Sequence, residues 1–291
     1  MASRLKRTRR TKLQVERLDQ QIIDALQRDH PQSVRHVFYL MTNPRFREHV
    51  PKDTGYDVVQ SRCVKLRRAG RLPCGYIIDA TRRGYFTNTY SGAGDFMQRV
   101  AGLYRADLWK NSDFYCEVWC ESRSIAGVIE ADCEELAVSL YPAGGFSSIS
   151  LAFEAAEFIN QEHRGRDVVI FYIGDYDPAG VLIDVSIERE IRQHLSNDIA
   201  LQFTRIGITA EQVAAYDLPT KPRNKNDRRA LHIKRTVEAE AMPAHILRGL
   251  LRDAIEALLP DDALEAAREA EDREREMIGD LADGLKRRIR S

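Results

Sequence analysis

The sequence predicts an α/β chain in which a helical N-terminal part precedes a parallel sheet flanked by helices. Three observations predict it. From residue 113 onward, short β-branched and aromatic runs alternate with helix-spaced segments, the pattern of strand–helix–strand crossovers. One of these runs, Val168 to Ile173, is apolar at every position, as a strand buried on both faces should be. Before residue 113 the apolar spacing is helical, and basic residues gather in one helix.

Taken in order, "LQVERLDQQIIDALQRD" reads as an amphipathic helix with Val15, Leu18, Ile22 and Leu26 on one face. "SVRHVFYLMT" opens on Ser33, a good N-cap, and makes a second, short helix. "TGYDVVQSRCVKLRRAG" makes a third, which carries Arg62, Lys65, Arg67 and Arg68 and stops at Gly70. "RLPCGYIIDATRRGYF" reads as short extended pieces around turns. Helix, helix, basic helix and extended pieces match a winged-helix module, whose third helix lies against DNA. Many small helical domains share that order.

The second half begins with "DFYCEVWC" as a strand, "SIAGVIEADCEELAVSL" as a helix and "YPAGGFSS" as a turn. "ISLAFEAAEFINQEH" is a helix, 168–173 a strand, "AGVLIDVSIEREIRQHL" a helix and "ALQFTRIGI" a further strand. Residues 216–230, polar and Pro-containing, read as a surface loop, and "AHILRGLLRDAIEALL" as an amphipathic helix. The last thirty residues carry dense charge of both signs and read as an exposed helix, a solvated or interface element.

Composition narrows the class. The 291 residues balance 44 Lys and Arg against 44 Asp and Glu, so no basic total announces nucleic acid. The charge is unevenly placed, however. The first twelve residues hold six Lys or Arg and no acid, and residues 62–83 hold seven against a single Asp. Such an arm and patch can contact phosphates, and the arm alone reads equally as a solubilising tail. No apolar run reaches the roughly twenty residues of a membrane span. Without a signal-type apolar segment at the N-terminus, the expectation is a cytoplasmic protein, nucleoid-associated if its source is prokaryotic. Five cysteines form no C-x-x-C pair, and Cys116 and Cys120 lack the matching His/Cys pair of a zinc site.

The chemistry concentrates in "DVVIFYIGDYDPAG". Asp175 and Asp177 stand just past the carboxyl end of a buried strand, where open α/β sheets place their ligands, and Pro178 suits the helix start that follows. "VWCESRS" puts Glu121 past the end of another strand of the same sheet. A Glu and a D-x-D pair are an all-oxygen donor set, suited to Mg²⁺. A lone acid at such a place is also a helix N-cap or a solvated side chain, and D-x-D recurs in phosphohydrolases and glycosyltransferases.

"VWCESRS" followed by "GDYDPAG" resembles the Toprim domain, and the Asp-Pro-x-Gly ending is similar to that of the topoisomerase VI A subunit and its meiotic double-strand-break relatives. "SVRHVFYLM" resembles the T-x-R-D-x-x-Y segment that carries this family's nucleophilic tyrosine in a winged-helix domain, and the matched position is Tyr39. The resemblance covers about residues 20–259 and departs at His36, where the family has Asp. It implies a winged-helix domain over 21–111 and a Toprim domain over 112–259, which with the charge pattern leaves a basic arm over 1–20 and a charged C-terminal helix over 260–291. It further implies a homodimer acting on double-stranded DNA, the tyrosine of one protomer meeting the Toprim site of the other, and a separate ATPase partner for strand passage.

The residues fit that chemistry on their own terms. Arg35 and Tyr39 are one turn apart on a helix and share a face. A phenol titrates near ~10 and needs a cation and a base before it attacks. Arg35 suits the scissile phosphate, and His36 lies beside this face as a possible proton acceptor. Read without the resemblance, Tyr39 is a structural aromatic among eleven tyrosines. Three functions therefore compete: a Mg²⁺-dependent DNA-cleaving transesterase working through Tyr39, a hydrolytic Toprim nuclease using metal-activated water, and a catalytically silent winged-helix DNA-binding protein.

Overall fold

The computed structural model describes residues 10–79, 87–144 and 149–290. Most of the basic arm, the stretch 80–86 and the turn residues 145–148 lie outside the described residues, and with them Arg82 and Arg83 of the basic patch.

The chain starts with α1 (Lys12–Arg28), whose first turn is closed by a capping box between Thr11 and Gln14. Leu18, Ile22 and Leu26 recur every fourth residue and are fully buried. β1 (Gln32–Ser33) leads into α2 (Val34–Met41), where the Ser33 hydroxyl accepts the His36 N–H. α3 (Tyr56–Arg68) buries Val59, Cys63 and Leu66. Gly70 follows at φ +68°, a left-handed position that suits glycine. β2 (Ile77–Ile78) then pairs in parallel with β1, a two-residue ladder formed by one of the extended pieces expected there.

The second half is built on a four-stranded parallel sheet of β3 (Phe114–Cys120), β4 (Ser139–Pro142), β5 (Asp167–Ile173) and β6 (Leu201–Gly207), in the order β4-β3-β5-β6. The crossovers are α5 (Arg123–Glu135), α6 (Ile149–Glu162) and α7 (Gly180–His194). Two cores explain why β5 shows no alternation. Val169, Phe171 and Ile173 pack with α5 and the N-terminal helices, whereas Val168, Ile170 and Tyr172 pack with α6 and α7. The chain steps one way from β3 to β4 and then the other way to β5 and β6, which moves the crossover helices to the opposite face. The switch point thus falls between β3 and β5, the crevice where sheets of this kind place their ligands.

After β6 come α8 (Ala210–Ala215), an antiparallel pair of β7 (Lys221–Pro222) and β8 (Arg235–Thr236), α9 (Ala244–Glu256) and α10 (Ala263–Arg290). The molecule is thus mixed α/β with a parallel sheet, and no described helix is long and apolar enough to cross a membrane. Four local expectations change. The helix expected to run through Leu140 stops at Glu135, and Ala137 at φ +52° turns the chain into edge strand β4. The loop 216–230 contains β7. A helix not foreseen, α4 (Ala93–Ala101), packs along α10, so the C-terminal helix is partly covered by its own chain. Gly94 is what lets the two close up, since a Cβ there would stand 2.5 Å from Lys286 Cγ and 3.1 Å from the Ala282 carbonyl oxygen.

Candidate active site

Glu121 and Asp175 leave adjacent strands at the switch point, because Cys120 and Ile173 are register partners and the Glu121 N–H extends the ladder to the Ile173 carbonyl at 2.9 Å. Each of the three carboxylates has one oxygen held by backbone. Glu121 Oε2 accepts the Asp175 N–H at 2.9 Å, and Asp175 Oδ1 accepts the Ala239 N–H at 2.8 Å. Asp177 Oδ1 accepts the Ala179 and Gly180 N–H groups at 2.8 and 2.6 Å, which caps the start of α7. The N-cap reading of Asp177 and the ligand reading are therefore compatible, since its Oδ2 makes no hydrogen bond among the described residues. Gly180 permits the turn: a Cβ there would stand 2.2 Å from the Asp175 carbonyl oxygen.

Behind the turn lies Arg205, which sequence reasoning passed over. Its guanidinium pairs with Asp184 at 2.6 Å, donates to the carbonyls of Gly174 and Gly180 at 3.0 and 2.7 Å, and stacks on Tyr172 with its Cζ 5.1 Å from the ring centre. It ties the ends of β5 and β6 to α7. In front, Tyr176 and Val237 exchange backbone hydrogen bonds, which brings residues 235–240 against the carboxylates.

These elements enclose a cavity of about 400 Å³. Glu121, Asp175 and Asp177 line one side, and Arg35 and Tyr39 of α2, Lys52 of the turn before α3 and Lys221 of β7 line the other. The structure therefore brings Tyr39 and Arg35 to the same space as the three carboxylates of the same chain. Arg35 lies 5.4 Å from the centre of the Tyr56 ring and pairs with Glu238, which also takes Lys221 at 2.6 Å. Tyr39 is 4% exposed, and its buried hydroxyl stands beside the Glu238 carboxylate.

The electrostatics divide the site. Burial and the neighbouring Glu121 push the Asp175 carboxyl up to about 8. Glu121 is raised too, by burial first and then by Asp177. Burial pushes the Tyr39 phenol up, and Glu238 adds to this while Arg35 opposes it. Burial also works to raise Glu238, but Lys221 and Arg35 outweigh it and hold that carboxyl below its ordinary range. Burial and Arg248 lower His36 to about 3, which makes it a weak proton acceptor, and its Nδ1 lies 2.9 Å from Ser33 Oγ.

The basic third helix stands apart, and Arg62, Lys65, Arg67 and Arg68 are not among the residues lining the cavity. Arg62 donates through Nε at 2.6 Å and NH2 at 2.5 Å to Asp19, which is 3% exposed, so it is a structural ion pair. Lys65 and Arg68 are exposed and Arg67 is half-buried, which leaves Lys65 and Arg68 as the cations facing solvent. Sequence reasoning missed Lys52, Lys221, Glu238 and Glu240. Only the short charged run "VEAEAMP", next to the cavity, marked the last two. Among the described residues no group of three or more His, Cys, Asp or Glu side chains is placed to hold a metal ion, and the cysteines are free. Glu121, Asp175 and Asp177 remain the oxygen donors available to a hard cation. No protein family, curated protein or solved structure matches this chain.

Proposed function

We propose that this chain is a Mg²⁺-dependent DNA-cleaving transesterase with a winged-helix-like N-terminal part and a Toprim-like sheet, similar to the topoisomerase VI A subunit. The observation that carries the reading is the shared cavity: a buried phenol, three carboxylates at a sheet switch point and a group of cations open onto one space. In the proposed step the Tyr39 oxygen forms a bond to phosphorus, the sugar oxygen leaves and takes up a proton, and the phenol proton passes to a base, for which Glu238 is the adjacent carboxylate. Arg35 holds a non-bridging oxygen and stabilises the charge that develops on it.

The donor set fits Mg²⁺, which keeps several waters and binds through one or two carboxylates plus phosphate rather than in an all-protein cage. Burial raises both Asp175 and Glu121, and the added repulsion, of Asp175 by Glu121 and of Glu121 by Asp177, is what a bound cation would relieve. When bound, it would neutralise phosphate charge beside Tyr39. Because one chain supplies both tyrosine and carboxylates to the cavity, a single copy suffices for one strand in this reading, and a double-strand cut takes two copies, as a homodimer. An ATPase partner and double-stranded DNA as substrate belong to the same proposal.

The raised Tyr39 phenol favours a second reading, hydrolysis by metal-activated water with Tyr39 as a wall of the site. Stopping a reaction on supercoiled DNA with denaturant separates the two. Transesterification leaves protein-linked DNA ends that vanish in Tyr39→Phe. Hydrolysis leaves free ends in both proteins. Absence of any Mg²⁺-dependent cut would favour the silent DNA-binding protein.

A further inference from the structure

The cations around Tyr39 differ in one respect. Arg35 and Lys221 share Glu238 as their carboxylate partner, and Arg235 donates to Thr220 Oγ1. Lys52 Nζ is buried and makes no hydrogen bond. A buried ammonium without a partner is costly, and the cost persists only where the surroundings enforce it or a ligand relieves it.

The surroundings do enforce it. Lys52 rides on a tight turn between α2 and α3 that is pinned at one end by the Val50 N–H donating to the Met41 carbonyl at 2.9 Å. The turn is closed by the Gly55 N–H donating to the Pro51 carbonyl at 2.8 Å, and a Cβ at Gly55 would stand 2.5 Å from that carbonyl oxygen. The turn aims Nζ at the Tyr39 ring, 6.0 Å from its centre, and Lys221 Nζ approaches the same ring at 5.8 Å. Lys52 and Tyr39 also line a larger neighbouring cavity of about 880 Å³, so both stand where the two spaces meet.

We propose that Lys52 is a second phosphate-binding residue of this site, beside Arg35, holding a phosphate oxygen of a phosphodiester next to the Tyr39 hydroxyl. An incoming phosphate would give the ammonium its missing partner and relieve its repulsion from Lys221 and Arg235. That the phosphate belongs to DNA rests on the function proposed above; the anion site itself does not. The titration behaviour agrees with the geometry, since burial, Lys221 and Arg235 bring Lys52 down to about 8 against the weaker pull of Glu238 and Asp53. Deprotonation removes the charge, so anion binding should weaken as pH rises through 8.

Pyridoxal 5′-phosphate followed by borohydride tests this in the wild-type protein, because the probe combines a phosphate with a lysine-directed aldehyde. Peptide mapping should find Lys52 labelled ahead of the exposed lysines, with inorganic phosphate and a short oligonucleotide both protecting it. Phosphate protection without oligonucleotide protection would keep Lys52 as an anion site and overturn the DNA reading. Labelling led by other lysines, or unaffected by phosphate, would overturn the proposal. In DNA binding, Lys52→Gln should lower the salt slope by about 0.9, the value of one phosphate contact. Lys52→Arg should keep the slope and extend binding beyond pH 8, whereas a pH profile identical to wild type in that variant would also overturn the assignment.

Discussion

Replacing Asp175 by Asn should stabilise the metal-free protein, the reverse of what a buried polar substitution usually does. The carboxyl stands at about 8 in the folded chain, against an ordinary value near ~3.9. A carboxyl raised on folding carries no penalty below pH ~4, an increasing one as pH rises to 8 and a constant one above. At pH 7 the roughly three pH units involved, at about 1.4 kcal/mol each, set an upper bound of about 4 kcal/mol. Asp175 keeps some exposure, so about half of that, roughly 2 kcal/mol, is the working figure after screening. Asn retains the Oδ1 that accepts the Ala239 N–H and removes the repulsion from Glu121. For a chain of this size, about 2 kcal/mol corresponds to a melting shift of roughly 4–8 °C. The assay is thermal melting in EDTA at pH 5, 7 and 9, repeated with Mg²⁺. The variant should gain on wild type as pH rises, and Mg²⁺ should narrow the gap by raising wild type alone. Parallel pH curves, with Asn melting at or below wild type at pH 7, would refute the claim that the turn gathers repelling carboxylates.

Other substitutions test the frame around the site. Arg62→Ala should cost about 2–3 kcal/mol in denaturant unfolding, because it leaves the buried Asp19 carboxylate with only the longer Arg71 contact at 3.8 Å. Lys65→Gln and Arg68→Gln should leave stability within about 0.5 kcal/mol and each lower the salt slope of DNA binding by about 0.9, so a stable protein with an unchanged slope would clear the third helix of DNA contact. Gly180→Ala should destabilise by about 1–3 kcal/mol and abolish the Mg²⁺ response in melting, since the new Cβ displaces the Asp175 backbone; an unaltered response would mean the turn tolerates the shift.

The parts of the fold that were legible in the sequence are those whose burial is written locally. β5 could be read because both its faces are covered, and Asp175 and Asp177 because they end that run. Ser33 and Gly70 marked helix ends through cap chemistry that acts over three or four residues. β4 reads as helix only as a continuation of the helical run before it; Leu136, Val138 and Leu140 alternate with strand period, and the backbone turn at Ala137 ends the helix. α4 escaped because it is stabilised by α10, more than 160 residues away, through close contact at Gly94. The same holds for the cavity. Lys52, Lys221, Glu238 and Glu240 sit on turns and a short hairpin whose meeting depends on the Tyr176–Val237 bridge, and no local spacing announces such a meeting. Arg62 shows the opposite error: its place in a basic helix suggested a DNA contact, and its partner Asp19 lies on a different helix.

The claim at the centre of this account is that Tyr39 acts on a phosphodiester in the cavity it shares with Glu121, Asp175 and Asp177. The most direct measurement is peptide mass spectrometry of wild-type protein incubated with DNA and Mg²⁺, denatured and digested with nuclease and protease. The account predicts a nucleotide remnant on the peptide that contains Tyr39, absent in EDTA and absent in Asp175→Ala. DNA cut in Mg²⁺ with the Tyr39 peptide recovered unmodified, and cut as fast by Tyr39→Phe, would contradict it.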